Sequence, residues 1–94
     1  MKDKKSRKIK ALVFLSVTKD KLVDIGIEVA KIKYAKRVYE VLGNYDLVMF
    51  TEVSSREELG EVINTVSTLE GVKFISTFIP VSYTHLTLPT IYSV

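Results

Sequence analysis

The sequence predicts an α+β fold: a four-stranded antiparallel sheet with two helices packed on one of its faces. Three observations predict it. Four short runs rich in β-branched and aromatic residues are separated by turn signals. Two longer segments carry apolar residues at helical spacing. The chain has 94 residues, 47% hydrophobic and 27% charged, which is the balance of one globular domain.

Ala11 to Val17, Ala-Leu-Val-Phe-Leu-Ser-Val, is the first strand. Thr18 and Asp20 then offer oxygens suited to an N-cap. Leu22, Ile25, Val29 and Ile32 recur at helical spacing, with Val23 and Ala30 beside them, so a helix is expected from Lys19 to Lys33. Gly26 inside it costs about 1 kcal/mol relative to alanine and reads as close packing of helix on sheet. Arg37 to Leu42 and Tyr45 to Val53 are the second and third strands. Gly43-Asn44 between them is a two-residue hairpin signal, because both residues tolerate positive φ. Ser54 and Ser55 stand three residues before Glu57 and Glu58, the spacing of a capping box. Leu59, Val62, Ile63, Val66 and Leu69 mark the apolar face of a second helix, which Gly71 terminates. Val72 to Ile79 is the fourth strand, closed by Pro80. The order β-α-β-β-α-β is the split βαβ arrangement of ferredoxin-like domains. Right-handed crossovers put both helices on one face.

The strands do not alternate cleanly. Leu12 and Phe14 oppose Val13 and Leu15 on the first; Leu47, Met49 and Val53 oppose Val48 and Phe50 on the third. A sheet covered on one side should be polar on the other. Here both faces are apolar, so the second is expected to be covered by another copy in a two-fold dimer, an α-β sandwich.

Composition removes several classes of chemistry. There is no cysteine, hence no disulfide, no cysteine-ligated zinc and no thiol catalysis. The four glycines are far apart and form no phosphate loop. The only histidine, His85, has no partner at metal-ligand spacing. Neither a metal nor a cofactor is expected. A small enzyme on a similar sheet, such as a monooxygenase, would need polar groups in a cavity, and the inward candidates are Val, Leu, Ile, Phe and Met. No apolar run reaches the roughly 18 residues that span a bilayer, and the basic start does not read as a secretory signal; a cytoplasmic address is expected. Residues 1–10 hold six basic residues against Asp3, net +5, while the remainder carries a net −2. The arm reads as a solvated tail; non-specific contact with phosphates through Lys2 to Lys10 is the alternative.

One locus stands out, Gly43-Asn44-Tyr45-Asp46. Turn amides can take a carboxylate, Asp46 can accept from an ammonium group, and Tyr45 offers a ring wall and a hydroxyl. Together they suit a small zwitterion such as an amino acid. The plainer alternative is that Gly-Asn makes the turn, Tyr45 packs, and Asp46 bonds a turn amide.

The run Val38-Tyr39-Glu40-Val41-Leu42-Gly43-Asn44-Tyr45-Asp46-Leu47-Val48 resembles the V-x-x-V-x-G-x-Y-D-L-V pattern of the Lrp/AsnC effector-binding domain, also called the RAM domain. Leu69-Glu70-Gly71-Val72 is a second match, and the resemblance covers Ala11 to Pro80. It implies dimers formed through the sheets, rings of four dimers, and amino acids or related effectors bound between dimers near the hairpin. By position Gly43, Tyr45 and Asp46 fall on the family motif and Asn44 on its variable position. The family's last strand often carries Thr-x-Thr near the site; here the first position is Ile75 and only Thr77 matches. The expected ligand-binding set is therefore Gly43, Asn44, Tyr45, Asp46 and Thr77. Full-length members place a helix-turn-helix domain ahead of this one, and a basic arm of ten residues cannot form it. The reading is a stand-alone effector domain or a fragment, without direct sequence-specific DNA binding. Its partners would be a second copy, a small effector or a full-length regulator. A pure assembly module that binds nothing small is the alternative.

The expected organisation is a basic arm over 1–9, the ligand-binding domain over 10–80 and a tail over 81–94. The tail has no charged residue. Its Ser-Tyr-Thr-His-Leu-Thr-Leu-Pro-Thr stretch, 82–90, resembles translated adapter read-through, so non-native sequence is expected there. A fifth strand or exchanging arm is the alternative, limited to a sheet edge by Pro89.

Overall fold

A computed structural model of the protein describes residues 8–82 and 89–93. Most of the basic arm, residues 1–7, and His85 lie outside the described residues. The elements are β1 (Ile9–Val17), a 3-10 turn (Lys19–Lys21), α1 (Leu22–Ala30), β2 (Ala35–Glu40), β3 (Leu47–Val53), α2 (Arg56–Ser67), β4 (Val72–Ser82) and β5 (Pro89–Ser93). The sheet is antiparallel throughout, in the order β2-β3-β1-β4-β5. The expected β-α-β-β-α-β core is present, with β1 between β3 and β4.

The core lies between the sheet and the helices. Ala11, Val13 and Leu15 of β1 and Met49 and Val53 of β3 bury one face of the sheet against Ile25 and Val29 of α1 and Leu59, Val62 and Val66 of α2. Each of these side chains larger than alanine contributes about 1.5–3 kcal/mol by leaving water. Thr51, fully buried in this layer, donates its hydroxyl to the Tyr34 carbonyl at 2.7 Å, so the inward polar group is satisfied.

Several boundaries differ from the sequence reading. The first helix ends at Ala30, not Lys33; Ile32 N–H bonds the Val29 carbonyl at 3.1 Å and Ala35 N–H the Ile32 carbonyl at 3.0 Å, tight turns that release the chain into β2. Neither Thr18 nor Asp20 caps its start. Thr18 N–H instead bonds the Gly71 carbonyl at 2.9 Å, and a 3-10 turn precedes the helix. Gly26 is not a point of close packing, since a Cβ there would meet nothing nearer than Leu47 Cδ2 at 3.9 Å.

The Gly43-Asn44 hairpin is not a two-residue turn. Six residues, Val41 to Asp46, connect β2 to β3, and only Gly43 has positive φ, at 130°. Asp46 faces both neighbours there: its carbonyl still accepts from Val41 N–H at 2.9 Å, and its own N–H bonds the Leu15 carbonyl of β1 at 2.8 Å. The capping box forms as expected: Ser55 Oγ accepts from Glu58 N–H at 3.2 Å, and Glu58 Oε1 accepts from Ser54 N–H at 2.7 Å. β4 does not close at Pro80 but continues to Ser82. The β1–β4 ladder ends at Leu12↔Phe78, so the missing Pro80 N–H removes no bond to β1. Residues 89–93 pair with β4 as an outer fifth strand, the edge placement Pro89 requires.

Candidate functional site

The second face of the sheet carries no helix. Cross-strand pairs share a face, which sets its layout. One row runs Tyr39, Val48, Phe14, Ser76; the next runs Arg37, Phe50, Leu12, Phe78. Leu12, Phe14, Phe50 and Phe78 are half-buried there. The expectation that both sheet faces are apolar is met, with Leu12, Phe14, Val48 and Phe50 on the open side.

Phe14 is the centre of this face. Its ring lies 5.5 Å from Phe78 in an edge-to-face contact and 5.6 Å from Tyr45, tilted at 52°. Leu12, Phe14, Tyr45 and Phe78 line an open hollow of about 360 Å³. The Tyr45 hydroxyl reaches past Phe14 to the Ser76 hydroxyl at 2.7 Å, a polar pair beside an otherwise apolar floor. At the far edge Arg37 donates to the Tyr39 hydroxyl at 3.2 Å, and this bond raises the guanidinium pKa further above its ordinary value.

The loop Val41 to Asp46 is anchored by its last residue. Asp46 N–H donates to the Leu15 carbonyl at 2.8 Å, its own carbonyl accepts from Val41 N–H at 2.9 Å, and Oδ2 accepts from Val17 N–H at 2.9 Å. The carboxylate thus holds an amide of β1 beyond the last β1–β3 pair, rather than a turn amide. Tyr45 follows as the wall of the hollow, while Gly43 and Asn44 stand exposed at the loop tip.

Of the five residues expected at a binding site, the structure brings Gly43, Asn44, Tyr45 and Asp46 to one end of the sheet. It does not bring Thr77 to the open face. Thr77 pairs with Val13, is 4% exposed and faces the helices between Ile75 and Ile79. The β4 residue that meets Tyr45 is its neighbour Ser76. Leu12, Phe14, Ser76 and Phe78 were not among the expected site residues; the signal for the apolar three was the unbroken apolar run Ala11–Leu15 of β1 and the adjacent apolar pair Phe78-Ile79 of β4. Among the described residues no group of three or more His, Asp or Glu is placed to hold a metal ion. No helix among them is long and apolar enough to cross a membrane.

Comparison with known proteins agrees with this geometry. A sequence model of the Lrp/AsnC ligand binding domain matches residues 10–85. An uncharacterized HTH-type transcriptional regulator of Pyrococcus furiosus is 25% identical over 77 residues, covering 82% of this chain and 52% of its own length. The HTH-type transcriptional regulator FL11 of the same organism is 30% identical over 71 residues, covering 76% and 47%. The chain therefore spans about half the length of these curated relatives. Among solved structures, TTHA0845 from Thermus thermophilus superposes with a TM-score of 0.74 at 30% identity, covering 76% of this chain and 90% of that one. Escherichia coli AsnC superposes at 0.70 with 15% identity, covering 76% and 49%, a likeness of fold. With the family model spanning most of the chain, the motif run ending in Gly43, Tyr45 and Asp46 and the four-stranded core in agreement, the chain belongs to the Lrp/AsnC ligand-binding-domain family.

Proposed function

We propose that this chain is the effector-sensing and assembly domain of an Lrp/AsnC-type transcription regulator, and not an enzyme. It pairs with a second copy through the open sheet face and takes an amino acid or related small effector at the Gly43–Asp46 loop. The observation that carries this reading is the apolar open face, built from Leu12, Phe14, Phe50 and Phe78, with the Tyr45–Ser76 hydroxyl pair and the anchored loop at its end. Leaving such a face in water is unfavourable, and a two-fold pair covers it with itself. Two copies stacked this way close the hollow, and ring assembly brings neighbouring loops together. A cytoplasmic location, and co-assembly with a full-length regulator, follow from the same reading.

The effector would meet backbone at Gly43 and Asn44, the Tyr45 ring and hydroxyl, and the Asp46 carboxylate. A thermal-shift screen of the common amino acids at millimolar concentration tests it. A ligand that binds only the folded state adds RT ln(1 + [L]/Kd), about 2.7 kcal/mol at a hundredfold excess over Kd. At least one amino acid is expected to raise the melting temperature; flat curves for all of them would refute sensing by this chain.

The Asp46 carboxylate favours a second reading, an assembly module without a small ligand, because Oδ2 already serves Val17 N–H. Asp46→Ala separates the two. It costs about 1.5–3 kcal/mol of stability under either, as a lost bond to a charged group. Only under sensing does it also abolish the amino-acid shift that the parent shows.

A further inference from the structure

We propose that Gly71 is a positioning residue for the Gly43–Asp46 loop, acting through the end of β1, so that the loop and the start of α1 hold or release together. That the loop takes an effector rests on the reading above; the coupling is a property of the fold alone. Leu69-Glu70-Gly71-Val72 stands out in the sequence beside the loop motif, and neither the open face nor the loop accounts for its glycine.

β1 lies between β3 and β4, so its successive N–H groups point alternately to one neighbour and the other. At its end both ladders give out. The last β1–β3 pair is Leu15↔Leu47, and the β1–β4 register shifts between Ser16 and Val17. The amides that follow are held by groups standing just ahead of the neighbouring strands. Val17 N–H donates to Asp46 Oδ2 at 2.9 Å, on the β3 side. Thr18 N–H donates to the Gly71 carbonyl at 2.9 Å, on the β4 side. The two bonds flank one Cα, that of Val17, whose side chain is buried in the core. Its backbone torsions set both amides, so neither bond moves without straining the other.

Gly71 governs this corner from the β4 side. At φ 107° it lies against the turn that opens α1, where a Cβ would stand 2.9 Å from Ile25 Cδ1 and from Lys21 Cβ and Cγ. Lys21 N–H in turn bonds the Thr18 carbonyl at 3.0 Å. A side chain at 71 therefore displaces the turn, and Thr18 with it. On the β3 side Asp46 carries the loop. Its N–H bonds the Leu15 carbonyl at 2.8 Å, its carbonyl takes Val41 N–H at 2.9 Å, and its carboxylate depends on Val17 staying in place. Gly71 thus reaches Asp46 through the Thr18 and Val17 amides. An effector that fits the loop in this shape favours the closed corner, and by reciprocity an opened corner weakens the effector.

Amide-proton NMR shifts report hydrogen bonds in the folded protein and do not follow a uniform loss of stability, so they test the coupling directly. Gly71→Ala is expected to move the Val17 amide proton toward the position it takes in Asp46→Ala, and to move the Asp46 amide proton as well. Asp46→Ala is expected to move the Lys21 amide proton, on the far side of Thr18. Ser55→Ala, which loosens α2 at the other end of the sheet, is expected to move none of them. For each amino acid that raises the melting temperature of the parent, Kd by titration calorimetry is expected to weaken about tenfold or more in Gly71→Ala, as for one lost bond to a charged group, and to hold in Ser55→Ala. A Gly71→Ala protein that melts lower but keeps the parental Val17 and Asp46 shifts, or the parental Kd, would overturn the proposal and leave Gly71 a structural residue only. Should Gly71→Ala not fold, Asp46→Ala decides: an unmoved Lys21 amide overturns the coupling and a moved one upholds it. If no amino acid raises the melting temperature while these amides move together, the sensing reading fails and the coupling stands.

Discussion

Gly71 shows how much a single position can hold. Its φ of 107° is a conformation that side-chain-bearing residues rarely adopt, and a Cβ there would stand 2.9 Å from Ile25 Cδ1 and from the Lys21 side chain. Its carbonyl also takes the Thr18 N–H at 2.9 Å. One residue thus turns the chain into β4 and seats the start of α1. Gly71→Ala is expected to cost about 1–3 kcal/mol from backbone strain, with the displaced Ile25 adding to it, measured as a lower midpoint in urea unfolding. Glycine at this spot reads in the sequence as the stop of the second helix, but that helix ends at Ser67 with Thr68 as its cap, and Gly71 instead turns the chain into β4; its contact with the first helix was not legible, because Lys21 and Ile25 are far away in sequence. Asp46 has the same character. Its chemistry as an acceptor was visible, but its partner, Val17 N–H, belongs to a strand that only the folded sheet brings near.

Elements were readable where their signals are local. The start of α2 is the clearest case, since Ser55 and Glu58 satisfy each other's neighbourhood within four residues. Ser55→Ala is expected to cost about 1 kcal/mol, seen as a lower melting temperature, with α2 otherwise kept by Leu59, Val62 and Val66. The ends of α1 were misjudged because its residues continue the apolar period to Ile32 while the chain must already turn for β2. The β2–β3 connection was misjudged because Asp46 is held by β1, and no pattern in residues 41–46 reports that. Thr77 and Ser76 differ by one position, and one position in a strand is a change of face. With apolar residues on both sides of β4, alternation could not say which of the two looks toward the helices. The two-sided apolar character itself was plain in the sequence, and it is what defines the candidate site.

At the scale of the whole molecule, the proposed pairing through the uncovered sheet face would make stability a property of association. For the parent chain the melting temperature is expected to rise with protein concentration, because pairing stabilises the folded form by mass action. Phe78→Asp, which puts a charge beside Phe14, is expected to lose the open-face pair and with it the concentration dependence that this pair gives, checked by calorimetry over a dilution series. The strand order has its own consequence. β1 is made first yet sits centrally, and its partners are β3 and β4, with Leu12 facing both Phe50 and Phe78. During synthesis on the ribosome it waits unpaired until most of the domain has emerged. Formation of this sheet is thus dominated by distant contacts, which slows folding relative to a helical domain of similar size and leaves a greasy segment in need of shelter meanwhile.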